Sequence, residues 1–256
     1  PNYKKPTPAM RGLLVSQISM KSKTGFKKGI YDGLPICFGY FSVSFAFGVF
    51  AVAQGLSVLE AALISLTNLT SAGQLAGVPI ICSCGGLYEL ALSQLVINSR
   101  YVFMSASLSQ RLDESVTLPQ RFIIAFGNTD EIFAVAMSNG TSLKSGYMYG
   151  LILTPVMGWT LGTLTGAVAG NILPQILVSA LGVAIYGMLT AVVVPQIKKS
   201  RGAALCAAFA VTLGCCFEYI PALKRVPGGF SVIISAVIAA VLLAVLMPIS
   251  PEDADA

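Results

Sequence analysis

The stretch Phe126–Met137, F-G-N-T-D-E-I-F-A-V-A-M, places two adjacent carboxylates, Asp130 and Glu131, inside an otherwise apolar run. The rest of the chain is equally apolar, since 55% of its 256 residues are hydrophobic and only 11% are charged. Soluble domains carry roughly 25% charged residues, and a chain so poor in charge cannot cover a surface that faces water. The sequence therefore predicts an all-α integral membrane protein with both acids inside one of its spans.

Eight apolar segments are long enough to form transmembrane helices, which need about 20 residues each. Helices are expected because lipid offers no hydrogen-bond partner to an open backbone. We expect seven or eight spans within a transmembrane domain at 30–249. The second and fourth segments carry polar residues, so they are the ones expected to be discontinuous. The segments are 33–53, 58–84, 86–108, 122–140, 148–170, 173–196, 202–220 and 229–248.

The basic residues predict the orientation of the chain. Its net charge is +5, and residues 1–29 form a basic segment ahead of the first span. The positive-inside rule places this segment in the cytoplasm, and eight spans then place Lys144 and the basic loop at 198–201 on the same side. We interpret the segment as a topology signal rather than as a site for nucleic acid or anionic lipid, and it lacks the apolar region of a cleavable signal peptide. Residues 250–256 form an acidic tail.

The cysteines and the absence of histidine argue against metal chemistry. The chain has no histidine, and its six cysteines form no C-x-x-C pair. They lie in or beside apolar segments, where cysteine acts as a small packing residue more often than as a ligand. We therefore predict no metal site and no cofactor.

Charged residues within the spans need an explanation, because each costs at least about 2.5–3.5 kcal/mol at the centre of a bilayer. Asp32 and Glu89 lie near segment ends and are expected at the interface. Glu60 follows Ser57 with the spacing of a capping box. Arg100 has two interpretations: its side chain extends to the surface, or it forms a bidentate pair with a carboxylate of the fourth segment or of a substrate.

Two amides in the second and third segments are candidate substrate contacts. Gln74 shares one helix face with Thr67 and Ser71, which indicates either back-bonding within the helix or a loosened helix that faces a wet cavity. Asn98 and Gln94 form an i, i+4 pair on the third segment. We predict that Gln74, Asn98 and Arg100 bind substrate.

The quoted stretch also has the pattern of a helix start. Asn128 is expected as N-cap with Glu131 at N3, and this start lies five apolar residues into the span. A helix that begins within the membrane directs free N–H groups at an anion. Successive side chains diverge by about 100°, so the two acids must face different ways. We predict Thr129 and Asp130 in the substrate site, and Asp130 and Glu131 as the proton-coupling groups.

Glycines recur every four residues at Gly158, Gly162, Gly166 and Gly170. This spacing lines one helix face and favours close packing, against a helix of this chain or of another subunit. A weak similarity between 33–53 and 153–170 indicates either an internal repeat or a chance match among small residues.

The first half of the chain resembles the AzlC family, the large subunits of bacterial branched-chain amino acid exporters. The resemblance runs from about Gly33 to Ala136, and T-D-E-I-F-A is its most specific motif. The motifs, in chain order, are G-L-P-x-x-F-G at 33–39, G-L-S at 55–57, A-G-Q at 72–74, N-S-R-Y and S-A-S-L within 98–108, and T-D-E-I-F-A at 129–134.

The resemblance implies a transporter of the cytoplasmic membrane that exports leucine, isoleucine, valine and methionine, driven by protons and paired with a small AzlD-type membrane subunit. The chain departs from the family in the short spacing before Gln74 and in Ser99, which puts the exact substrate in question. The two other function classes are an assembly subunit that does not transport and an intramembrane enzyme. An enzyme is disfavoured because the two acids diverge and no acidic partner motif occurs on a second span.

An aliphatic amino acid would need three kinds of contact: a cation or helix start for its carboxylate, an acid for its ammonium group, and an apolar pocket. Arg100 or Thr129 supplies the first and Asp130 or Glu131 the second. The candidate pocket walls are Phe38, Met104, Phe126 and Phe133.

Overall fold

The computed structural model describes residues 8–140 and 142–247, and within these ranges the chain is helical without β-strands. This confirms the predicted all-α fold. The predicted acidic tail at 250–256 and the first seven residues of the basic segment lie outside these ranges. The helices are α1 Pro8–Ala53, α2 Val58–Thr67, α3 Ser71–Cys82, α4 Leu87–Asn98, α5 Arg100–Arg111, α6 Leu118–Phe126, α7 Asp130–Ser138, α8 Ser145–Gly170, α9 Gln175–Lys199, α10 Arg201–Tyr219 and α11 Gly228–Leu246.

Three successive apolar segments are each divided into two short helices. The second segment forms α2 and α3, the third forms α4 and α5, and the fourth forms α6 and α7. Breaks in the second and fourth were expected. The break in the third was not, and it has a local cause: the Ser99 hydroxyl donates to the Val96 carbonyl at 2.9 Å, competing with the helix for that acceptor.

Four helices are long and apolar enough to cross a membrane, counted over the residues whose side chains the structure describes. They are 25–53 of α1, α8, α10 and α11. Of the basic residues ahead of the first span, those from Arg11 onward belong to the same helix, because α1 already begins at Pro8. Together with the three divided segments and α9, these helices account for the eight predicted segments.

The chain forms two compact units. The first contains the chain up to Phe45, Ala62–Leu69 and Arg100–Thr165, and its core is a cluster of apolar side chains from α5 to α8. The second contains Ala46–Ala61, Thr70–Ser99 and the chain from Gly166 onward, and in it α11 packs against α3, α4 and α10.

The glycine face of α8 packs against α1 of the same chain in the first unit. A Cβ atom added at Gly162 would overlap the Ser44 hydroxyl and the backbone of Phe41, and one added at Gly158 would overlap the backbone of Cys37. Residue numbers rise together along both helices, so α1 and α8 run parallel in this unit. Only glycine allows two helix backbones to approach this closely.

The remaining members of the glycine series lie in the second unit. A Cβ atom added at Gly170 would lie 3.2 Å from the Cα atom of Val49, and Gly166 is buried. The two parts of the suggested repeat both contain a proline within a helix, Pro35 in α1 and Pro155 in α8. The repeat itself stays a prediction.

We expect Gly162→Ala to destabilise the protein by about 1–3 kcal/mol, because an added methyl group forces the packed backbones apart. The matched control is Gly39→Ala, since an added Cβ atom there meets nothing within 4 Å. Thermal unfolding of the two variants in detergent, followed by size-exclusion chromatography, compares them. Equal unfolding temperatures would contradict the close packing of α8.

Candidate functional site

The candidate site is built at the break between α6 and α7. Gly127 ends α6, and any side chain there would overlap Ile152 of α8. The next two residues, Asn128 and Thr129, are 2% and 4% exposed. A short buried loop thus stops one helix and starts another inside an apolar segment.

The helix start differs from the predicted capping pattern. The N-cap is Thr129 rather than Asn128, and its side chain makes no capping hydrogen bond. Both polar side chains are engaged elsewhere: the Asn128 amide donates to the Ser105 hydroxyl at 3.3 Å, and Thr129 contacts Tyr40. The acids therefore occupy the first two positions of α7, and Glu131 is not at N3.

Asp130 forms an ion pair with Arg100, the first residue of α5. The guanidinium Nη1 lies 2.6 Å from the carboxylate Oδ2, and the two side chains are 44% and 36% exposed. The guanidinium also lies over the ring of Tyr101, 5.1 Å from its centroid. Of the two interpretations of Arg100, the structure therefore shows the pairing with a carboxylate of the fourth segment.

Glu131 points to a different helix. Its carboxylate makes a short hydrogen bond with the hydroxyl of Tyr40 on α1, and that hydroxyl also lies 2.6 Å from the Thr129 hydroxyl. A phenol has one proton, so when Glu131 is ionised Tyr40 donates to it and the Thr129 hydroxyl donates to Tyr40. As expected from their spacing, the two acids diverge, one towards α5 and the other towards α1.

Tyr40 was missed by the sequence reasoning. It is 9% exposed, and its ring meets that of Trp159 edge to face with centroids 5.1 Å apart. A tyrosine within an apolar span requires a partner for its hydroxyl, which is the signal that could have identified it. That partner lies 91 residues away in sequence, so spacing alone does not reveal it.

Two buried polar atoms beside this site have no hydrogen-bond partner in the described part of the chain. They are the indole Nε1 of Trp159 and the side-chain oxygen of Asn128. Buried polar atoms are almost always hydrogen bonded, so both atoms are available to water or to a bound molecule.

None of the four predicted pocket walls is among the residues that line the cavity next to the site. Phe38 and Phe126 are 70% and 55% exposed and lie on the outside of the unit, whereas Phe133 packs against the core and Met104 is half-buried. An apolar cavity of about 230 Å³ lies instead between α5 and α6. Its lining includes Leu108, Phe122, Ile124 and Ser105, the residue that binds Asn128.

Gln74 and Asn98 lie in the second unit, at the contact between α3 and α4. Gln74 is buried in α3. Asn98 ends α4 and donates to Gln94 at 3.2 Å, and Gln94 donates to the carbonyl of Gly73 at 2.8 Å. The structure thus places these two predicted contacts in the second unit, on α3 and α4, while Arg100, Thr129, Asp130 and Glu131 form the site in the first unit.

The remaining charged residues of the spans have structural partners. Glu60 accepts from the Ser57 N–H at 2.7 Å, which confirms the capping box. Asp32 accepts from the Tyr147 hydroxyl at 2.9 Å. Glu89 is 7% exposed, because the start of α11 covers it, and its expected position at the membrane interface stays a prediction. Over the described residues, no three Cys, Asp or Glu side chains are grouped to hold a metal ion.

The pair of Arg100 and Asp130 can be tested by a double-mutant cycle on stability. Arg100→Gln and Asp130→Asn should each lower the free energy of unfolding, and the double variant should lose less than the sum of the two. A coupling of roughly 0.2–1 kcal/mol is expected for a half-exposed pair. Chemical unfolding in detergent measures it, and strictly additive losses would show that the two charges do not interact.

The sequence is similar to one known protein family and to two membrane proteins. The sequence model of the AzlC protein family matches residues 35–173, which include the whole of the site described in the first unit. An uncharacterized membrane protein of Archaeoglobus fulgidus is 31% identical over 197 residues, covering 76% of this chain and 86% of that protein. The inner membrane protein YgaZ of Escherichia coli K12 is 31% identical over 154 residues, covering 59% of this chain and 63% of that protein. No solved structure is similar to the chain.

Proposed function

The chain belongs to the AzlC family, and on that premise we propose that it is a secondary transporter that exports branched-chain amino acids. The observation that carries the proposal is the ion pair of Arg100 and Asp130 at the start of α7. It joins a cation to an acid at a helix start within an apolar segment.

The ion pair matches the head group of an amino acid in charge. In the proposed cycle the substrate carboxylate binds Arg100 in a bidentate manner, and its ammonium group binds Asp130. The exchange replaces one pair of opposite charges with two such pairs, so no unpaired charge is left in a poorly solvated place. The N–H groups at the start of α7 add a positive partial charge near the substrate carboxylate.

The aliphatic side chain of the substrate needs an apolar space. The cavity between α5 and α6 has a volume of about 230 Å³ and apolar walls. It is connected to the site through Ser105, which binds Asn128 in the loop before α7. We propose this cavity as the pocket for a branched side chain, and the unpaired Trp159 and Asn128 atoms as further contacts of the head group.

Glu131 is proposed as the group that carries the coupled proton. Its carboxylate is exposed at the edge of the site and hydrogen bonded to Tyr40. Protonation of Glu131 removes its need for the tyrosine proton, so Tyr40 becomes free to donate elsewhere. A cycle of protonation would thereby change the contact between α1 and α7.

The location and the partner belong to the same proposal. We propose the cytoplasmic membrane, with the N-terminus in the cytoplasm. This agrees with the positive-inside pattern and with the name of the E. coli relative, the inner membrane protein YgaZ. A small AzlD-type subunit is proposed as partner, on the strength of the family alone. No cofactor and no nucleic acid takes part in the proposed cycle.

Transport by site variants tests the proposal. Leucine counterflow into proteoliposomes under an imposed pH gradient should be lost in Asp130→Asn and should lose its dependence on the gradient in Glu131→Gln. The control is Glu60→Gln, because Glu60 only caps α2. If both site variants, present at normal levels, transport leucine at the wild-type rate and with its pH dependence, the assignment of the acids is wrong.

The same assay with and without a co-expressed small subunit tests the partner. Flux from the chain alone indicates a complete carrier, and flux only with the small subunit indicates an obligate complex. Absence of leucine flux under both conditions would contradict the proposed transport activity and favour an assembly role.

A further inference from the structure

We propose that the second unit contains a separate binding site for a primary ammonium group on a short aliphatic body. The site is a cavity of about 360 Å³ formed by α3, α4 and α11. It contains none of the residues of the proposed leucine site, and it does not depend on that proposal.

The cavity contains a buried carboxylate, Glu89, which is 7% exposed. Its Oε1 accepts a hydrogen bond from the backbone N–H of Gly229 at 2.8 Å. Glu89 is also the third residue of α4, and Gly229 is the second residue of α11. The positive partial charges of two helix N-termini therefore lie beside this carboxylate.

Glycines make the room that this carboxylate occupies. A Cβ atom added at Gly229 would lie 2.7 Å from both Cγ and Oε1 of Glu89. One added at Gly85 would lie 3.3 Å from Oε2 of the same side chain. The backbone thus approaches Glu89 closely on two sides, and this approach fixes where its carboxylate points.

Ser93 supplies the observation that points to a ligand. It lies one turn after Glu89 on α4, is 0% exposed and lines the same cavity. Its hydroxyl makes no hydrogen bond within the described part of the chain. A helical serine can donate to the carbonyl four residues earlier. The Ser93 hydroxyl does not do so, which leaves it available to a molecule in the cavity.

The chemistry of the lining selects the ligand. Glu89 and Ser93 offer hydrogen-bond acceptors and one full negative charge, while Ala76, Ile80 and Val232 form apolar walls. Among the described residues that line the cavity there is no cationic side chain, so a second anionic group on the ligand would have no partner. A volume of about 360 Å³ far exceeds a bare ion and lies in the range of small-molecule pockets, roughly 300–1,000 Å³.

The ligand class is therefore a free aliphatic amine rather than an amino acid, whose carboxylate would have no partner here. The probe is 3-methylbutylammonium, which is leucine without its carboxylate. Isothermal titration calorimetry of the purified full chain in nanodiscs should show saturable binding of this probe. Leucine should not compete for this binding, and competition by leucine would contradict the selection of an amine.

Two variants and one control test the residues. Glu89→Gln keeps an oxygen that can accept from Gly229 but removes the charge, and it should weaken probe binding roughly ten- to hundredfold. Ser93→Ala leaves the hydrogen bond between Gly229 and Glu89 intact, and it should weaken binding roughly two- to tenfold. Glu60→Gln, which removes an acid outside the cavity, should bind as wild type.

The proposal is overturned if the wild-type chain shows no saturable binding of the probe, or if Glu89→Gln and Ser93→Ala both bind it as tightly as wild type. Size-exclusion profiles show whether each variant is folded. If Glu89→Gln is not folded, probe binding by Ser93→Ala decides whether the cavity is the site. The assay measures equilibrium binding of an amine. Its failure is therefore distinct from a failure of leucine flux at Arg100 and Asp130.

Discussion

The structure depends on the requirement that polar groups inside an apolar segment find their partners within the protein. At the break between α6 and α7 the chain exposes a helix start and two acids, and each is matched by a group from another element. Arg100 on α5 neutralises Asp130, and Tyr40 on α1 binds Glu131. Without these partners the break would leave two carboxylates unpaired in an apolar segment, where each costs several kcal/mol. The divided segments are therefore tolerated only together with the side chains that face them.

The same requirement explains where the second polar centre lies. Glu89 enters the apolar interior of its unit because the start of α11 offers it an N–H group and a positive partial charge. In both units, then, a helix N-terminus and a carboxylate occur together. The difference is electrostatic: Asp130 has a guanidinium as counter-charge, whereas Glu89 has only helix ends. A site of the first kind suits a zwitterion, and one of the second kind suits a cation.

The sequence predicted the parts of this arrangement that depend on local pattern. Apolar segment lengths predicted the helical membrane fold, and the polar run after Gly127 predicted the break at α7. The divergence of Asp130 and Glu131 followed from helix geometry. Ser99 was not identified as a break because no Gly or Pro accompanies it in N-S-R-Y, and the break is local, since its backbone stays in the helical region with φ of −54° and ψ of −32°. The roles of Tyr40 and Glu89 depend on partners 91 and 140 residues away, and a single sequence has no pattern that joins such positions.

The glycine contacts of α8 have a consequence for how the first unit can rearrange. Two parallel backbones in direct contact cannot slide along each other without a steric clash. In the first unit α1 and α8 should therefore move together as one rigid pair. The short helices α5, α6 and α7 have 12, 9 and 9 residues, so each contains far fewer backbone hydrogen bonds than α1 or α8. Any rearrangement that opens or closes the unit should therefore move these short helices. Tyr40 would stay in place on α1, and α7 would form or lose its hydrogen bond with it.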